Sequence, residues 1–265
     1  MKRIIFTDLD GTFLNHDDYS FKSSLQALKK IKQEQIPLIF TTSKTKSEVL
    51  RLQQEVGISE PFIVENGAAL FIPQNYQGFN FSELSDFDDS KVKRFGKNYS
   101  EVLAFYTKYK ASYGLIGLSD MTDNEISQLT GLDLNNVPFV KARDFTEPFI
   151  LKDISKLETL QHTASKYDLK ITKGGRFYHL MSKKQDKGVA VKETIRLFET
   201  FYKDKVHSIA LGDSENDAPM LKNVDLPILI QKHDGSYLKT DILNIQKSSY
   251  QGSKGWNEMV LKHVE

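Results

Sequence analysis

The sequence predicts an α/β protein whose core is a doubly wound, Rossmann-type parallel sheet with an inserted α+β domain. Short apolar segments alternate with amphipathic ones at the start of the chain, and the same alternation returns near its end. Between the two, aromatic residues, glycine and proline interrupt the periodicity. We therefore expect a core of residues 1–80 and 187–265, with residues 81–186 inserted over the ligand-binding edge of the sheet.

The first part of the core is predicted to run strand, helix, strand, helix, strand. Apolar residues 4–6 predict the first strand, and apolar side chains at three- and four-residue steps predict a helix over residues 21–35. Residues 36–42 form the second predicted strand, and Gly57 ends a helix before a third strand at 61–64. Right-handed crossovers make such strands parallel, and ligands bind beyond their carboxyl ends.

The last part of the chain continues this pattern. Apolar residues at helical spacing predict a helix over residues 187–202. Short apolar runs predict strands at 206–211 and 226–230. The simplest organisation is therefore one wound core that a single insertion interrupts.

The composition narrows the class of protein. The 265 residues are 39% hydrophobic, enough for a core of ordinary size, and the formal charge of +1 gives no support for nucleic acid or a membrane as partner. Cysteine is absent, which removes disulfides, thiol nucleophiles and thiolate metal ligands. No apolar stretch has the length of a signal peptide or a membrane span. We expect a cytoplasmic protein, and the sequence leaves its oligomeric state open.

Two carboxylates follow the first predicted strand. Asp8 and Asp10 are separated by one residue, so in a strand their side chains point to the same side, and Gly11 lets the chain turn away. Unpaired anions in one crevice repel each other, which favours a divalent cation, above all Mg²⁺, with Asp8 and Asp10 among its oxygen ligands. Beside such a cation Asp8 can attack a phosphoryl group, while Asp10 can protonate the leaving oxygen and then activate water. An acidic pair that only caps a turn is the alternative.

A second acidic motif follows the predicted strand at 206–211. Gly212 turns the chain, Asp213 lies at the strand end, and Asp217 follows about one helical turn later. Both carboxylates can reach the metal region and complete an oxygen shell for Mg²⁺. Capping of a helix start by Asp213 or Ser214 is compatible with the same geometry.

Thr42 and Lys187 supply polar groups of the kind that phosphoryl transfer needs. Thr42 ends the second predicted strand level with Asp8 and can hold a phosphoryl oxygen, although threonines at strand ends are otherwise turn formers. Lys187 begins a helix that Asp186 can cap, and Gly188 permits a close approach. The lysine would neutralise the phosphate and Asp8 in the transition state. A solvated surface lysine is the alternative.

In chain order, these segments resemble the four motifs of haloacid dehalogenase (HAD) superfamily phosphatases. The segments are DLDGT at 8–12, Thr42, Lys187 and GDSEND at 212–217. The resemblance implies that Asp8 is nucleophile and metal ligand, that Asp10 is the acid/base, and that Asp213 completes the magnesium site. It also implies that the insertion is the superfamily's larger α+β cap, which closes over the site and selects the substrate.

A narrower resemblance, to the mannosyl-3-phosphoglycerate phosphatase family, covers nearly the whole chain. It rests on TSKT at 42–45, VENGAAL at 64–70, ARDFTEPF at 142–149, GGRFYHL at 174–180 and DKG at 186–188. Ser43-Lys44 stands where many general sugar phosphatases of the superfamily have Gly-Arg. The family implies removal of phosphate from a mannosyl-phosphoglycerate, leaving mannosylglycerate. GSKGW at 252–256 departs from the family at its second residue and is expected to be a loop.

A substrate with both a carboxylate and a phosphate calls for additional cations and polar groups. The expected substrate-binding residues are Ser43, Lys44, Asn66, Glu147, Arg176 and His179. In a regular strand Arg176 and His179 point to opposite faces, so both serve the site only if a bulge or a turn at residues 174–175 re-aims one. Glu147 is expected to hold sugar hydroxyls, and the alternative for it is an exposed loop acid.

Two other functions stay open on the sequence. A phosphatase or phosphomutase for another sugar phosphate, including glucosyl-3-phosphoglycerate, would use the same core residues, because the cap decides the substrate. A non-catalytic sugar-phosphate sensor would keep the fold without turnover, although every expected catalytic side chain is present. A dehalogenase is disfavoured because hydrolysis of a carbon–halogen bond does not call for Asp10.

Overall fold

The chain forms two compact units in a computed structural model that describes residues 2–81, 83–174 and 176–264. The first unit comprises the residues up to Thr42, Ser59–Lys93 and the residues from Asp186 onward. The second comprises Ser43–Ile58 and Arg94–Gln185. The expected insertion limits of 81 and 186 stay a prediction.

The strands are β1 (Lys2–Thr7), β2 (Leu38–Thr41), β3 (Phe62–Val64), β4 (Ala69–Pro73), β5 (Ser85–Phe87), β6 (Ser90–Arg94), β7 (Leu115–Gly117), β8 (Glu147–Leu151), β9 (Leu169–Lys173), β10 (Tyr178–Ser182), β11 (Val206–Gly212), β12 (Leu226–Gln231) and β13 (Gln246–Gln251). The helices are α1 (Leu25–Gln33), α2 (Lys46–Val56), α3 (Tyr99–Tyr113), α4 (Asp123–Thr130), α5 (Val137–Lys141), α6 (Leu157–Ser165), α7 (Lys187–Tyr202), α8 (Ala218–Leu221) and α9 (Gly252–Val264).

The first unit is built on a mixed sheet in the order β13-β12-β11-β1-β2-β3-β4-β6-β5. Every pairing from β13 through to β3 is parallel, while β4 runs antiparallel to β3. Strand β1, in the interior of this sheet, carries Ile4, Ile5 and Phe6, which are completely buried, as its apolar sequence predicts. The predicted α/β class with a parallel sheet is confirmed.

Two helices of this unit show where the apolar pattern succeeds and where it fails. α7 spans the predicted residues, because its apolar positions recur at helical spacing and Asp186 caps its start. Residues 252–256, expected to be a loop, instead begin α9. The reason is burial: Trp256 is fully buried, and its indole N–H donates to Thr7 Oγ1 at 3.0 Å.

The second unit contains an antiparallel sheet in the order β7-β8-β10-β9. A buried apolar cluster joins α3 and α6 to this sheet, and Tyr106, Phe149 and Leu160 are fully buried in it. Helix α2 belongs to the same unit. Its start is fixed by a capping box between Thr45 and Glu48, and its end by Gly57, whose φ of 69° is left-handed.

Across the described residues, no helix is both long and apolar enough to cross a membrane.

Candidate active site

An ion pair between Lys187 and Asp8 forms the buried centre of the candidate site. The Asp8 N–H donates to Leu211 O at 2.9 Å, which continues the parallel pairing of β1 with β11 and fixes Asp8 just beyond β1. Helix α7 begins at Lys187 because the Asp186 carboxylate accepts a hydrogen bond from the Val189 N–H at 2.8 Å. Lys187 Nζ lies 2.6 Å from Asp8 Oδ1. The predicted partnership of these two side chains is therefore present in the geometry.

Lys187 also bridges to Asp217, whose Oδ1 lies 2.6 Å from Nζ. Burial lowers the pKa of the Lys187 ammonium, but the carboxylates of Asp217 and Asp8 outweigh it and the pKa is raised. Burial raises the pKa of Asp8 well above its usual value, the charge of Asp217 raises it further, and Lys187 lowers it. The lysine is thus a fixed cation among acids that repel one another. A solvated surface lysine, the alternative interpretation of Lys187, is excluded because the residue is 1% exposed.

The loop after β11 is organised around Asp217. Its Oδ2 accepts hydrogen bonds from the N–H groups of Asp213 at 3.1 Å and Ser214 at 3.0 Å, and lies 3.1 Å from Ser214 Oγ. Gly212 is required here, because a Cβ at this position would lie 2.6 Å from Asp217 Cγ. Asp213 Oδ1 accepts a hydrogen bond from Thr12 Oγ1 at 3.1 Å. The Asp213 carboxylate therefore contacts the turn that follows β1, while Asp217 is buried.

Asp8, Asp213 and Asp217 form a group that could hold a metal ion, since each has a carboxylate oxygen within 4.8 Å of the others. Burial and the neighbouring Asp217 raise the pKa of Asp213 to about 7. These carboxylates outnumber the single ammonium of Lys187, which leaves negative charge that a divalent cation would compensate. Oxygen-only ligands suit Mg²⁺ and other hard cations. The side chains thus fit a divalent metal.

Asp10 differs from the expected arrangement. β1 ends at Thr7, so neither Asp8 nor Asp10 lies in the strand, and alternation along a strand does not relate their side chains. Asp10 instead forms a backbone bridge with Leu14, and Gly11 turns the chain at a φ of 80°. Within the described residues Asp10 is not part of the acidic group that could hold a metal. Its predicted role as a side-chain metal ligand stays a prediction.

Thr42 and Asn66 follow the next two strands of the same sheet. The Thr42 N–H donates to Ile63 O at 3.0 Å, and the Asn66 N–H donates to Thr42 O at 2.9 Å. Thr7 lies opposite Phe40 in the register, so Thr42 lies one residue further along than Asp8 rather than level with it. Both Thr42 and Asn66 are buried.

In the second unit, Ser43 and Lys44 precede helix α2. Ser43 O accepts a hydrogen bond from Arg143 Nη1 at 2.9 Å, which ties this segment to the residues before β8. Lys44 Nζ lies 3.8 Å from Glu48 Oε1, one helical turn along the chain. Thr45 Oγ1 donates to Phe139 O at 2.7 Å. The segment is therefore held in a defined conformation.

Glu147 is a buried acid of the second unit, with none of its surface exposed. Its Oε1 accepts hydrogen bonds from Ser119 N at 2.9 Å and Ser119 Oγ at 2.8 Å, while Oε2 accepts from the Tyr99 hydroxyl at 2.5 Å. The alternative of an exposed loop acid was wrong, because Glu147 begins β8 in the interior. Its role toward a substrate stays a prediction.

Arg176 and His179 lie in different settings on the hairpin of β9 and β10. Arg176 is exposed, precedes β10 and donates from Nη1 to Leu129 O at 2.6 Å. His179 lies within β10 and is 7% exposed. Because Arg176 is outside the strand, strand alternation does not separate their directions. The expected turn at residues 174–175 falls partly outside the described residues, since Gly175 is not among them.

The comparisons with known proteins place this arrangement in a family. The haloacid dehalogenase-like hydrolase family matches the chain over residues 5–236, which hold Asp8, Lys187, Asp213 and Asp217. The chain belongs to the haloacid dehalogenase-like hydrolases. The resemblance to the HAD superfamily that the sequence motifs carry is therefore confirmed.

Relatives of this hydrolase include three curated phosphatases. The chain is 48% identical to the glucosyl-3-phosphoglycerate/mannosyl-3-phosphoglycerate phosphatase of Persephonella marina over 257 residues, which are 97% of this chain and 95% of that protein. It is 38% identical to a phosphatase of the same name from Methanococcoides burtonii, over 98% of this chain and 97% of the relative. It is 32% identical to the mannosyl-3-phosphoglycerate phosphatase of Pyrococcus furiosus, over 93% and 99% respectively.

Solved structures share the fold of this hydrolase at low sequence identity. A phosphatase of the HAD superfamily from Bacteroides thetaiotaomicron matches with a TM-score of 0.69 and 17% identity, over 100% of this chain and 95% of that one. The Thermoplasma acidophilum protein 0175 matches with a TM-score of 0.68 and 19% identity, over 100% and 98%. At these identities the likeness concerns the fold alone.

Three residues whose hydrogen bonds hold the segments of the candidate site were not among the site residues predicted from the sequence. Thr12 and Asn216 stand inside the recognised motifs, but their hydrogen bonds reach residues far away in the chain. Arg143 stands in the ARDFTEPF segment and binds Ser43 O. Their position inside the recognised segments was the only indication of these residues in the sequence. The local pattern of residues does not reveal a hydrogen bond to a distant part of the chain.

Proposed function

We propose that this hydrolase is a Mg²⁺-dependent phosphatase that removes the phosphate of mannosyl-3-phosphoglycerate or glucosyl-3-phosphoglycerate. The observation that carries the substrate class is the 48% identity to a curated phosphatase of that name over 97% of the chain. The chemistry is supported by the group of Asp8, Lys187, Asp213 and Asp217, in which Asp213 is half-buried and the other three are buried. A cytoplasmic location belongs to the same proposal, since the chain has no cysteine to form disulfides.

In the first proposed step an Asp8 carboxylate oxygen attacks the phosphorus of the substrate. The bond between phosphorus and the ester oxygen breaks, its electron pair stays on that oxygen, and Asp10 donates a proton to it. The products of this step are an aspartyl phosphate and the free glycosylglycerate. Lys187 Nζ lies 2.6 Å from Asp8 Oδ1 and offsets the negative charge of the transition state.

In the second step Asp10, now deprotonated, takes a proton from water. The water oxygen attacks phosphorus, the bond from Asp8 to phosphorus breaks, and inorganic phosphate leaves. Thr42, buried after β2, is proposed to hold a phosphoryl oxygen in both steps. The cycle restores both carboxyl groups to their starting protonation states.

Asp8 and Asp213 are proposed to hold the Mg²⁺ ion, with Asp217 beside them. The Asp217 oxygens already accept hydrogen bonds from Lys187 Nζ, from Ser214 and from the Asp213 N–H. We therefore propose that the main role of Asp217 is to orient Lys187 and the loop after β11. When bound, the ion supplies positive charge for the phosphoryl oxygens.

The second unit is proposed to supply the substrate specificity. The glycerate carboxylate and the sugar hydroxyls are assigned to polar residues of this unit, namely Ser43, Lys44, Glu147, Arg176 and His179. For Glu147 the assignment rests on the family resemblance alone, because its carboxylate is fully buried and already accepts hydrogen bonds from Ser119 and Tyr99.

A substrate panel with Mg²⁺ tests the proposal. The panel contains mannosyl-3-phosphoglycerate, glucosyl-3-phosphoglycerate, 3-phosphoglycerate and a hexose 6-phosphate, and release of inorganic phosphate is measured. We expect fast release from one or both glycosyl compounds and slow release from the other two. Equal rates throughout, or no release from the glycosyl compounds, would contradict the substrate class. Transfer of the phosphate to an added sugar instead of water would indicate a phosphomutase.

A further inference from the structure

The loop that follows β3 has an unusual backbone. Glu65, Asn66 and Gly67 have successive φ values of 47°, 59° and 84°, all in the left-handed region. Residues other than glycine adopt this region at an energetic cost. Glu65 and Asn66 are nevertheless buried, at 0% and 4% exposure. A strained, buried loop of this kind persists only where its surroundings determine it, and such loops are concentrated at functional sites.

Gly67 packs directly on the start of α7. A Cβ on Gly67 would overlap the carbonyl group of Asp186 and lie 2.7 Å from Lys187 N. Only glycine permits this approach and the φ of 84° together. The backbone that carries Lys187 is therefore braced against the loop.

Asn66 reaches the acidic loop after β11. Its Oδ1 accepts a hydrogen bond from Asn216 Nδ2 at 3.0 Å. Asn216 Oδ1 in turn accepts one from Ser214 Oγ at 2.5 Å, and the Ser214 N–H donates to Asp217 Oδ2 at 3.0 Å. A continuous chain of hydrogen bonds thus runs from Asn66 to the carboxylate that Lys187 binds.

We infer that Asn66 is a positioning residue, which holds the acidic loop through Asn216 while Gly67 braces the start of α7. The loop after β3 thereby sets the separation between the lysine and the carboxylates, all within the first unit. Partners that orient metal-binding carboxylates typically change metal affinity or activity by about 10–100-fold when removed. This inference rests on the proposed function, because it assigns Asn66 to the metal-binding loop rather than to substrate.

The test compares Asn66→Ala, Asn216→Ala and the double variant. Asn75→Ala is a matched control, because Asn75 has the same φ of 59° but is exposed and lies outside the site. Mg²⁺ binding without substrate is measured by calorimetry, kcat and KM by phosphate release, and folding by thermal unfolding. We expect each single variant at 66 and 216 to bind Mg²⁺ about tenfold more weakly and to lower kcat. The double variant should be no weaker than either single one, since both act through one contact.

Asn75→Ala should bind Mg²⁺ like the wild type. If Asn66→Ala does not fold, Asn216→Ala is used for the test, because the backbone at Asn216 is not left-handed. The inference is overturned if Asn66→Ala keeps wild-type Mg²⁺ affinity and changes only KM, or if the two single effects add in the double variant. If the wild type binds Mg²⁺ and releases phosphate, and the variants do so equally well, only this inference is contradicted. A wild-type protein that does neither contradicts the proposed function.

Discussion

Lys187 Nζ lies 2.6 Å from Asp8 Oδ1, and neither side chain is more than 8% exposed. The same ammonium lies 2.6 Å from Asp217 Oδ1. One buried cation thus neutralises part of the charge of two carboxylates, and the three side chains depend on one another.

Replacement of Lys187 by methionine should lower both stability and activity. The substitution leaves the Asp8 and Asp217 carboxylates buried without their cation, which we expect to cost about 3–5 kcal/mol in the free energy of unfolding. Loss of the charge beside the attacking oxygen should lower kcat by about 10²–10³-fold. Denaturant unfolding and phosphate release check the two effects. Lys192→Met, at an exposed position of the same helix, is the control and should change neither.

Replacement of Asp213 by asparagine should weaken metal binding. The amide retains an oxygen that can accept from Thr12 Oγ1 but removes the negative charge that attracts the cation. We expect Mg²⁺ affinity to fall at least about tenfold, measured by calorimetry without substrate. Asp204→Asn, in the exposed turn before β11, controls for a general change in charge. Unchanged affinity in Asp213→Asn would remove Asp213 from the proposed metal site.

Glu60 should make stability depend on pH. Burial raises the pKa of Glu60 from 4.5 to about 7, although the hydrogen bond from the Tyr76 hydroxyl lowers it. The folded state then holds a proton that the unfolded state has lost, so stability falls as pH rises from about 4.5 to about 7. Full development of the shift corresponds to about 3 kcal/mol.

Glu60→Gln removes this titration and keeps an oxygen for the Tyr76 hydroxyl. The stability advantage of wild type over the variant should therefore shrink between about pH 5 and pH 8 in urea unfolding. The account of Glu60 fails if the difference in unfolding free energy between wild type and Glu60→Gln is the same at about pH 5 and about pH 8.

Gly117 should be intolerant of a methyl group. It ends β7 at an ordinary φ of −81°, but a Cβ there would overlap Glu147 Oε1 and lie 2.5 Å from Tyr106 Cζ. We expect Gly117→Ala to cost about 1–3 kcal/mol in unfolding free energy, because a packed interior does not absorb the extra atom. If Glu147 contacts the sugar, KM for the glycosyl substrate should rise as well. Wild-type stability in this variant would mean that the Glu147 network is not rigid.

The sequence was sufficient for the elements whose apolar pattern is strong. β1, β11 and β12 are short runs of buried apolar residues between turns, and α7 combines helical spacing with a capping aspartate. β13, with the sequence QKSSYQ, has no such pattern. Backbone pairing with β12 and the packing of α9 stabilise it instead, and neither can be recognised in the local sequence.

The residues of the candidate site could be predicted where they stand in sequence motifs, but their long-range hydrogen bonds could not. Asp8, Lys187, Asp213 and Asp217 stand in motifs, and their convergence follows from parallel strands that end at one edge of a sheet. The contact of Asn66 with Asn216 joins residues 150 positions apart. It depends on the left-handed backbone at Asn66, which the sequence does not specify for an asparagine.

The most direct test of the central claim is to trap the phosphoryl group on Asp8. The enzyme turns over mannosyl-3-phosphoglycerate or glucosyl-3-phosphoglycerate with Mg²⁺, the reaction is stopped with acid within one turnover, and peptides are mapped by mass spectrometry. The account predicts a phosphoryl group on the peptide that contains Asp8, absent in Asp8→Asn, which should fold but not release phosphate. Turnover by Asp8→Asn, or a phosphoryl group on another residue, would contradict it.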